Sequence, residues 1–478
     1  MSDESREVVV IGAGISGLVC AYRLKRLGVD VVLLEKSTRV GGVMRTDRID
    51  EFLIERGPNS SQGTEELLAL VEELGITGDL VEGDPKAPAY VYFNRRLHPV
   101  PSGPGPFIKS NLLSARGKLR ILMEPMIGAR RSSTEESVAA FARRRIGREA
   151  AERMVAPFVS GVYAGDPEAL SVQAAFPRLA NLETGYGGLF RGMIAKAREA
   201  KRAKKSAGAV LDKAAPTRRR LVSFREGMGF LPKVLAARLG EDLITGIADC
   251  GLRIADCGDF LVDFTRAGNS ERINCEQVII ATPSSVASSL IASASEELSR
   301  CLDGIEYPPL AIVYLAYDIG SIRTPLDGFG FLVAPVEGLN ILGCVWNSSL
   351  FEGRAPARTA LVTVFIGGAR NPQAARLEDA ELVSTVHSEL QQALGIASEP
   401  HVVAITRYER AIPQYNLGHR ARVQKIESLI KEIPGLRLTG NYLHGVSTGD
   451  CIKEADRVAK EAAESLRADR KPRRGEIQ

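Results

Sequence analysis

The residues with the clearest chemical meaning are three glycines near the N-terminus. They are Gly12, Gly14 and Gly17. An apolar, β-branched run at residues 8–11 precedes them and an amphipathic segment follows, so the order is strand, glycine turn and helix. Such a turn lets the backbone approach a pyrophosphate and points the free N–H groups of a helix N-terminus at the anion. A second apolar run, residues 29–34, ends in Glu35, whose carboxylate is placed to accept hydrogen bonds from ribose hydroxyls. The stretch therefore predicts an adenine-dinucleotide site.

The next residues select among dinucleotides. Residues 39–45 read RVGGVMR, which resembles the extension found in flavoproteins of the amine-oxidase and phytoene-desaturase type. In those proteins the paired glycines run beside the FAD diphosphate, so the resemblance implies FAD and not NAD. The alternative is an ordinary glycine turn followed by a solvated arginine.

Composition and charge set the broad class of the protein. A length of 478 residues exceeds what a single core usually supports, so several domains are expected. With 45% hydrophobic and 25% charged residues, the chain has the composition of an ordinary soluble protein. A net charge of +4 is too small to indicate nucleic-acid binding, and no nucleic-acid partner is expected.

Cysteine and histidine spacing bears on redox compartment and metals. The 7 cysteines contain no CxxC pair and are odd in number, which favours reduced thiols and a cytoplasmic location. The 5 histidines lack metal-ligand spacing, so we expect no metal site. The first strand begins within a few residues of the N-terminus, so no signal or transit peptide is expected. No apolar run reaches the roughly 20 residues of a membrane span, so any membrane contact is peripheral, at the inner face of the cell membrane.

Residues 196–220 form the most biased segment and are dominated by lysine and arginine. One interpretation is a solvated linker. The other is a basic edge that lies on anionic lipid, where each cation contributes about 1 kcal/mol. RNA binding is disfavoured because no aromatic residues alternate with the basic ones.

Hydrophobic patterning outlines the remaining organisation. A hairpin is predicted at residues 90–93 and 97–100, and mainly helical structure at 111–205. Strands at 252–254, 260–264, 278–281 and 436–439 are predicted to return to the nucleotide sheet. Strands at 310–317, 329–333, 341–346 and 360–366 are predicted to form a separate mixed or antiparallel sheet, and a helix at 450–466 closes the chain.

Several longer stretches resemble the protoporphyrinogen oxidase family. They are ERGPNS (55–60), APFVSGVYAGDPEALSV (156–172), SFREGMGFL (223–231), IPQYNLGH (412–419) and TGNYLHGVSTGDCI (439–452). The resemblance implies an α/β fold. Its parts are a doubly wound, Rossmann-like FAD-binding domain of the p-hydroxybenzoate hydroxylase type, a mixed-sheet substrate domain and a helical membrane-binding domain. We expect the FAD-binding domain at 6–85, 222–290 and 420–470, the helical domain at 86–221, the substrate domain at 291–419 and a flexible tail at 471–478.

The same resemblance assigns site residues. The implied cofactor contacts are Gly12, Ala13, Gly14, Ile15, Ser16, Gly17, Glu35, Lys36, Gly42, Val43, Gly57, Pro58, Asn59, Ser60, Asp249, Asn441, Val446, Ser447 and Thr448. Asp249 stands where the family usually has an apolar residue. The turn at 445–447 leads into the closing helix, whose positive end can stabilise negative charge on a reduced flavin.

The implied substrate contacts are Gly161, Leu332, Val345 and Phe365. Aliphatic and aromatic faces can sandwich a flat tetrapyrrole, and the carbonyl of Gly161 can accept pyrrole N–H groups. The alternative is that these are core residues of an ordinary sheet.

The resemblance also implies an activity, namely removal of six electrons from a porphyrinogen in three rounds. Each round passes a hydride to the flavin, and dioxygen, reduced to hydrogen peroxide, reoxidises it. No arrangement of acids, bases or nucleophiles typical of side-chain catalysis is visible, so no catalytic residue is assigned, and His419 and His444 are expected to be structural.

Family members often have an arginine at the position of Ala89 that pairs with a propionate. Its absence leaves protoporphyrinogen IX and coproporphyrinogen III as two possible substrates. Two rival functions also stay open, an amine or carotenoid oxidase of the same superfamily and a non-enzymatic carrier on the same scaffold. A homodimer is a further expectation.

Overall fold

The computed structural model describes residues 3–130, 132, 134–206, 220–256 and 258–469. The strands of these residues are β1 Asp3–Ile11, β2 Val31–Glu35, β3 Thr46–Ile49, β4 Phe52–Glu55, β5 Ser61–Gln62, β6 Leu80–Glu82, β7 Ala89–Phe93, β8 Arg96–Pro99, β9 Leu221–Phe224, β10 Leu243–Thr245, β11 Ile247–Ile254, β12 Phe260–Arg266, β13 Asn269–Ile280, β14 Leu310–Asp318, β15 Gly330–Val333, β16 Ile341–Trp346, β17 Thr359–Gly367, β18 His401–Tyr408 and β19 Leu436–Leu438.

The α-helices of the same residues are α1 Ile15–Arg26, α2 Glu65–Leu74, α3 Pro104–Lys109, α4 Ala115–Leu122, α5 Val138–Ile146, α6 Arg148–Ala150, α7 Ala156–Tyr163, α8 Val172–Ala175, α9 Pro177–Tyr186, α10 Leu189–Ser206, α11 Phe230–Leu239, α12 Ser284–Ile291, α13 Glu296–Asp303, α14 Asn347–Leu350, α15 Asp379–Leu394, α16 His419–Lys431 and α17 Thr448–Asp469. A π-helical turn, Ala151–Val155, joins α6 to α7.

The first sheet is built on β13 and has the strand order β10-β2-β1-β13-β12-β11. β13 pairs in parallel with β1 along one side and with β19 at its C-terminal end on the other, while β12 pairs antiparallel with its N-terminal part. The strand, glycine turn, helix and strand predicted at the N-terminus are confirmed as β1, α1 and β2, and the return of β13 and β19 to this sheet is confirmed too.

Alternate side chains of the strands point to opposite faces of the first sheet, and helices cover both faces. On one face, Val8 and Val10 pack with α1, α2, α11 and α17. On the other, Val9 and Ile11 pack with α12, α13, α16 and the antiparallel strands β11 and β12. This two-sided burial is that of a doubly wound α/β domain.

The second sheet has the order β18-β14-β17-β16-β15-β7-β8, with β7 parallel to β15 and the other pairs antiparallel. The prediction of a separate mixed sheet is confirmed. The hairpin predicted at 90–93 and 97–100 is confirmed as β7 and β8. The two strands belong to this second sheet, although the sequence placed them in the helical domain at 86–221. One face of the sheet is covered by α15, so the other face is the one turned toward the nucleotide-binding turns.

Helices α4–α10 confirm the mainly helical structure predicted at 111–205, and α3 precedes them. A fully buried ion pair between Arg145 and Glu124 lies inside this helical structure. Glu124 also accepts the backbone N–H groups of Leu189 and Phe190 at the start of α10. Of the basic run at 196–220, residues 207–219 lie outside the described part of the chain.

The described cysteines are free thiols, as predicted, and Cys257 lies outside the described residues. Burial raises the pKa of Cys20, Cys275 and Cys451 to about 12 in each case. In the part of the chain that the structure describes, no helix is long and apolar enough to cross a membrane. Nor does any cluster of three His, Cys, Asp or Glu residues in that part have the arrangement of a metal site.

Candidate functional site

The glycine turn after β1 is shaped by close backbone contacts. Gly12 has a φ of +103°, and its N–H donates to the carbonyl of Leu34 over 2.7 Å. A Cβ on Gly17 would lie 1.9 Å from the carbonyl oxygen of Gly12, so only glycine fits where α1 meets the turn. A Cβ on Gly14, in contrast, would meet no protein atom within 4 Å. Open space therefore lies beside Gly14, at the N-terminus of α1.

That helix N-terminus has the properties of an anion site. Gly14 is the N-cap residue, no side chain caps the helix, and its first turn contains no acidic residue. The first N–H groups of an α-helix have no partner within the helix and carry partial positive charge. Together with the space beside Gly14, these groups fit the diphosphate of a dinucleotide.

A second glycine turn lies against the first. The N–H of Gly41 donates to the carbonyl of Ala13 over 2.8 Å, and a Cβ on Gly42 would lie 3.5 Å from the Cα of Gly14. Val43 follows with 52% of its surface exposed. A Cβ on Gly57 would lie 2.1 Å from the carbonyl oxygen of Val43, so the loop at 57–60 packs directly on this turn. The predicted cofactor residues at 12–17, 42–43 and 57–60 thus form one continuous region.

Glu35 ends β2 beside the first turn. Its two carboxylate oxygens accept the N–H of Ala13 over 2.6 Å and that of Ser37 over 2.8 Å. These bonds fix the carboxylate while leaving lone pairs for a ribose. Lys36 is exposed, and Asp249 is exposed with a φ of +49° on β11. The chain near Asp249 is tied to the same turn, because the N–H of Gly246 donates to the carbonyl of Ser37 over 3.0 Å.

The loop at 57–60 is also connected to the second sheet. Asn59 Oδ1 accepts from Nδ2 of Asn347 over 2.6 Å, and Asn347 Oδ1 accepts from the hydroxyl of Thr363 over 2.7 Å. Asn347 and Thr363 are buried. Sequence reasoning missed both, although a polar residue directly after an apolar strand was a signal for Asn347.

The strand before that loop holds a buried carboxylate, Glu55. Glu55 accepts the hydroxyl of Thr46 over 2.6 Å and the N–H of Met228 over 2.9 Å, and Nη1 of the buried Arg354 lies 3.6 Å from it. Burial raises the pKa of Glu55 to about 7, and these partners oppose the shift. The cluster fixes the end of β4 immediately before the glycine at 57, and Arg354 was not anticipated from sequence.

The C-terminal residues predicted to contact the cofactor form the turn between β19 and α17. The hydroxyl of Tyr415 donates to the carbonyl of Asn441 over 2.6 Å and accepts the N–H of Gly445 over 2.8 Å. Ser447 caps α17 by accepting the N–H of Asp450 over 3.1 Å, and its hydroxyl donates to the Asp450 carboxylate over 2.6 Å. An acid in the first turn partly neutralises the positive helix end that the sequence suggested.

The four predicted substrate residues come together although they are distant in the chain. Register places Leu332, Gly343 and Phe365 in one row across the sheet, and Gly330, Val345 and Thr363 in the next row. Paired and alternate residues share a face, so Leu332, Val345 and Phe365 point to the same side.

Gly161 lies on helix α7, which packs on this face. A Cβ on Gly161 would lie 2.3 Å from Cδ2 of Leu332. Gly161 is also in the last turn of α7, where backbone carbonyls lack helical partners. The arrangement can therefore present an apolar surface and a backbone acceptor to a flat ligand.

The hairpin of β7 and β8 shows which basic residues lie near Ala89. Ala89 starts β7 and is exposed, and Lys86 is exposed at the same end of the hairpin. Arg95 and Arg96 lie at the opposite end, where the N–H groups of Asn94 and Arg95 donate to Glu337. Among these cations, Lys86 is therefore the one on the Ala89 side.

The two histidines of the family-like stretches differ in environment. His419 is 5% exposed and stacks on Tyr415 with ring centroids 4.1 Å apart. Burial lowers the pKa of His419 to about 4, so it is neutral at pH 7. His444 is near the surface, with Nε2 3.1 Å from Glu427.

Comparison with known proteins places this geometry in context. The model of the flavin-containing amine oxidoreductase family matches residues 15–463. Protoporphyrinogen oxidase 1 of spinach (Spinacia oleracea) chloroplasts is 35% identical over 477 residues, which cover 96% of this chain and 84% of the spinach protein. Coproporphyrinogen III oxidase of Bacillus subtilis is 28% identical, covering 97% of this chain and 99% of that protein. The crystal structure of a protein from Exiguobacterium sp. 255-15, provisionally named a protoporphyrinogen oxidase, superposes with a TM-score of 0.79 at 25% identity, covering 97% of this chain and 100% of that one.

Proposed function

The chain belongs to the flavin-containing amine oxidoreductase family, and to the protoporphyrinogen oxidases within it, and from this premise we propose that it oxidises a porphyrinogen to the corresponding porphyrin. It is a flavin oxidoreductase with FAD as its cofactor. The observation that carries the proposal is the length of the similarity, which includes the glycine turns, both sheets and the helical segment. A flavin enzyme is favoured over a carrier because the matched family is one of oxidoreductases.

The residues of the two glycine turns fit FAD and would hold its nucleotide half. The uncapped N-terminus of α1 and the space beside Gly14 would receive the diphosphate, and Glu35 would accept from the ribose. The loop at 57–60, together with Asn441 and residues 446–448, would hold the flavin half. When bound, FAD supplies the hydride acceptor.

The second sheet would supply the substrate surface. Leu332, Val345 and Phe365 would pack against the macrocycle, and the carbonyl of Gly161 would orient it by accepting pyrrole N–H groups. Contact with this apolar face would exclude water from the reacting carbon. Burial lowers the pKa of His419 to about 4, so its stacked imidazole is a weak proton acceptor, and we assign it no role as a base. We propose dioxygen as the final electron acceptor.

Protoporphyrinogen IX is the first candidate substrate and coproporphyrinogen III the second. The second stays a candidate because Ala89 lacks the cation that pairs with a propionate in many family members, and because the similarity to the Bacillus subtilis relative covers 97% of this chain. Lys86, at the same end of the hairpin, is the nearby cation that would contact the additional carboxylates.

The decisive experiment supplies each porphyrinogen to the FAD-loaded protein in air and follows porphyrin fluorescence together with hydrogen peroxide release. Porphyrinogens oxidise spontaneously, so the matched control is Gly14→Val, in which the space for the diphosphate is filled. We expect wild-type protein to form porphyrin well above this control. Equal rates for both proteins with both substrates would refute the proposal.

We also propose peripheral contact with an anionic membrane through helices α3 and α4. Ile108 is 71% exposed, Leu122 63% and Met126 77%. The Lys118 ammonium donates to the carbonyl of Ile108 over 2.7 Å, so the C-terminal end of α3 lies next to this residue of α4. Both helices also carry exposed cations, Lys109 on α3 and Arg116 on α4. Protruding apolar side chains bordered by cations match the chemistry of an anionic lipid surface.

This contact is tested by co-sedimentation with vesicles of phosphatidylcholine containing phosphatidylglycerol. Met126→Asp should release the protein into the supernatant, whereas Ile319→Asp, which alters an exposed apolar residue elsewhere (49% exposed), should not. Equal sedimentation of both variants and wild type would show that the exposed apolar residues of α3 and α4 and the adjoining Met126 have no role in lipid binding.

A further inference from the structure

The segment at 412–419, IPQYNLGH, makes contacts that its place in a connecting loop does not require. Ser171 donates its N–H to the carbonyl of Tyr415 over 2.8 Å, and Leu417 donates to the carbonyl of Ala169 over 2.9 Å. Leu170 and Asn416 form an antiparallel bridge between these two bonds. The segment is therefore paired, strand to strand, with the loop that follows α7.

A side chain extends this connection to α7 itself. Nε2 of Gln414 donates to the carbonyl of Tyr163, the last residue of α7, over 2.9 Å. Gln414 is 4% exposed, and a Cβ on Gly165 would lie 2.6 Å from its Oε1. The helix that carries Gly161 thus has its C-terminal end fixed by this segment.

The side chain of the next residue, Tyr415, contacts the turn between β19 and α17. The Tyr415 hydroxyl has one proton and two lone pairs, and the bonds to Asn441 and Gly445 use the proton and one lone pair. Asn441 and Gly445 are the two ends of a short loop. The residues directly after this loop, Val446, Ser447 and Thr448, are proposed to contact the flavin. One phenol therefore closes that loop across its base.

Tyr415 is itself held rigidly. It is 3% exposed and its ring is stacked on that of His419 at an interplanar angle of 11°. The N–H of His419 donates to the carbonyl of Asn416 over 2.9 Å, and the N–H of Gly418 donates to the Glu135 carboxylate over 2.6 Å, so the start of α16 is fixed as well. The hydroxyl of Tyr415 can move only if this stack moves.

We propose that residues 412–419 couple the turn at 441–448, called here the flavin turn, to helix α7. Tyr415 is the positioning residue for the loop at 441–445 within that turn. The proposal rests on the proposed function, because it takes residues 446–448 as flavin contacts and α7 as the substrate wall. Gln414 sets the end of α7 and Tyr415 sets the turn, and they are adjacent in the chain. Their relative position would therefore set where the loop at 441–448 lies with respect to the carbonyl of Gly161.

The test removes only the hydroxyl, by Tyr415→Phe. The matched control is Tyr442→Phe, because Tyr442 lies in the same turn, is fully buried and has a hydroxyl with no hydrogen-bond partner among the described residues. We expect FAD to bind about tenfold more weakly to Tyr415→Phe, since the N–H of Gly445 loses its acceptor. The visible spectrum of its bound flavin should shift and kcat should fall more than KM rises. Tyr442→Phe should match wild type in all three measurements.

A second measurement uses the unaltered protein. Adding FAD should slow amide hydrogen exchange at 441–448 and also at 163–171 and 412–419, because the three segments are bonded together. Slowing confined to 441–448 would overturn the proposal, and so would a Tyr415→Phe variant that matches Tyr442→Phe in FAD affinity and spectrum. If Tyr415→Phe does not fold, the exchange pattern decides.

Failure of the proposed function gives a different result. In that case wild-type protein binds FAD and shows the joint protection but leaves both porphyrinogens unoxidised. The coupling between the flavin turn and α7 would then stand without a porphyrinogen as its substrate.

Discussion

Two glycines of the first turn, Gly14 and Gly17, should have opposite roles, one in cofactor binding and one in folding. A Cβ on Gly17 would lie 1.9 Å from the carbonyl oxygen of Gly12, and this contact is between backbone atoms that no side-chain rotation can relieve. Overpacking of this kind costs about 1–3 kcal/mol, and a clash with backbone belongs at the upper end of the range. The alanine also stabilises by about 1 kcal/mol by restricting the unfolded chain. Gly17→Ala should therefore lose about 2 kcal/mol of folding free energy.

Gly14→Val should lower the folding free energy by about 1 kcal/mol at most, the cost of replacing glycine by valine at a helix N-cap. Gly14 has φ −69° and ψ 175°, which any residue adopts, and no protein atom lies within 4 Å of a Cβ there. The new side chain would instead occupy the space proposed for the diphosphate. Losing two hydrogen bonds to a charged group costs about 3–6 kcal/mol, so the Kd for FAD should rise at least about 100-fold.

The assay measures both variants in parallel. Urea unfolding of the FAD-free proteins gives stability, and titration with FAD, followed by the change in its fluorescence, gives affinity. A Gly14→Val protein with wild-type affinity would show that the diphosphate does not lie beside Gly14. A Gly17→Ala protein as stable as wild type would show that α1 can move away from the turn freely.

Three further predictions concern the second half of the site. Burial lowers the pKa of His419 from 6.5 to about 4, so the unfolded protein takes up a proton before the folded protein does as the pH falls. The free energy of unfolding should therefore be highest above pH 6.5 and decrease by about 3 kcal/mol toward pH 4. Urea unfolding of His419→Phe should not show this part of the pH dependence. Thr363→Val leaves Oδ1 of Asn347 unpaired, so stability should fall by about 1–3 kcal/mol in the same assay, and an unchanged value would mean that the bond is not made. Gly161→Ala displaces Leu332 and should raise KM for the porphyrinogen severalfold while FAD affinity, measured by titration, stays at the wild-type value.

Local signals in the sequence were sufficient for the nucleotide half of the fold. The glycine turn, Glu35 and the strands on either side are close in the chain, and their spacing is set by one βαβ unit. The strands at 46–49 and 401–408 were not predicted. Among the described residues, β3 is a short strand of a two-stranded sheet with β4. β18 lies at the edge of the second sheet, where less of each strand is buried.

Contacts between distant residues could not be read from the sequence. Periodicity indicates which residues of β15, β16 and β17 share a face, but not that these strands are neighbours or that α7 packs on them. The buried pair of Glu55 and Arg354 depends on a loop that folds back from the second sheet. Tyr415 was part of a family-like stretch, yet its bonds to Asn441 and Gly445 follow only from the position of the closing helix.

The burial of the thiols has a consequence for the durability of the enzyme. An oxidase that releases hydrogen peroxide exposes its own side chains to that product at every turnover, and the thiolate is the form of cysteine that peroxide attacks. Cys20 and Cys451 lie in α1 and α17, the helices nearest the glycine turn, and both are buried with a pKa of about 12. Almost none of either thiol is ionised at neutral pH. With dioxygen as the proposed electron acceptor, these two buried thiols would resist sulfenic acid formation by the peroxide that the reaction releases.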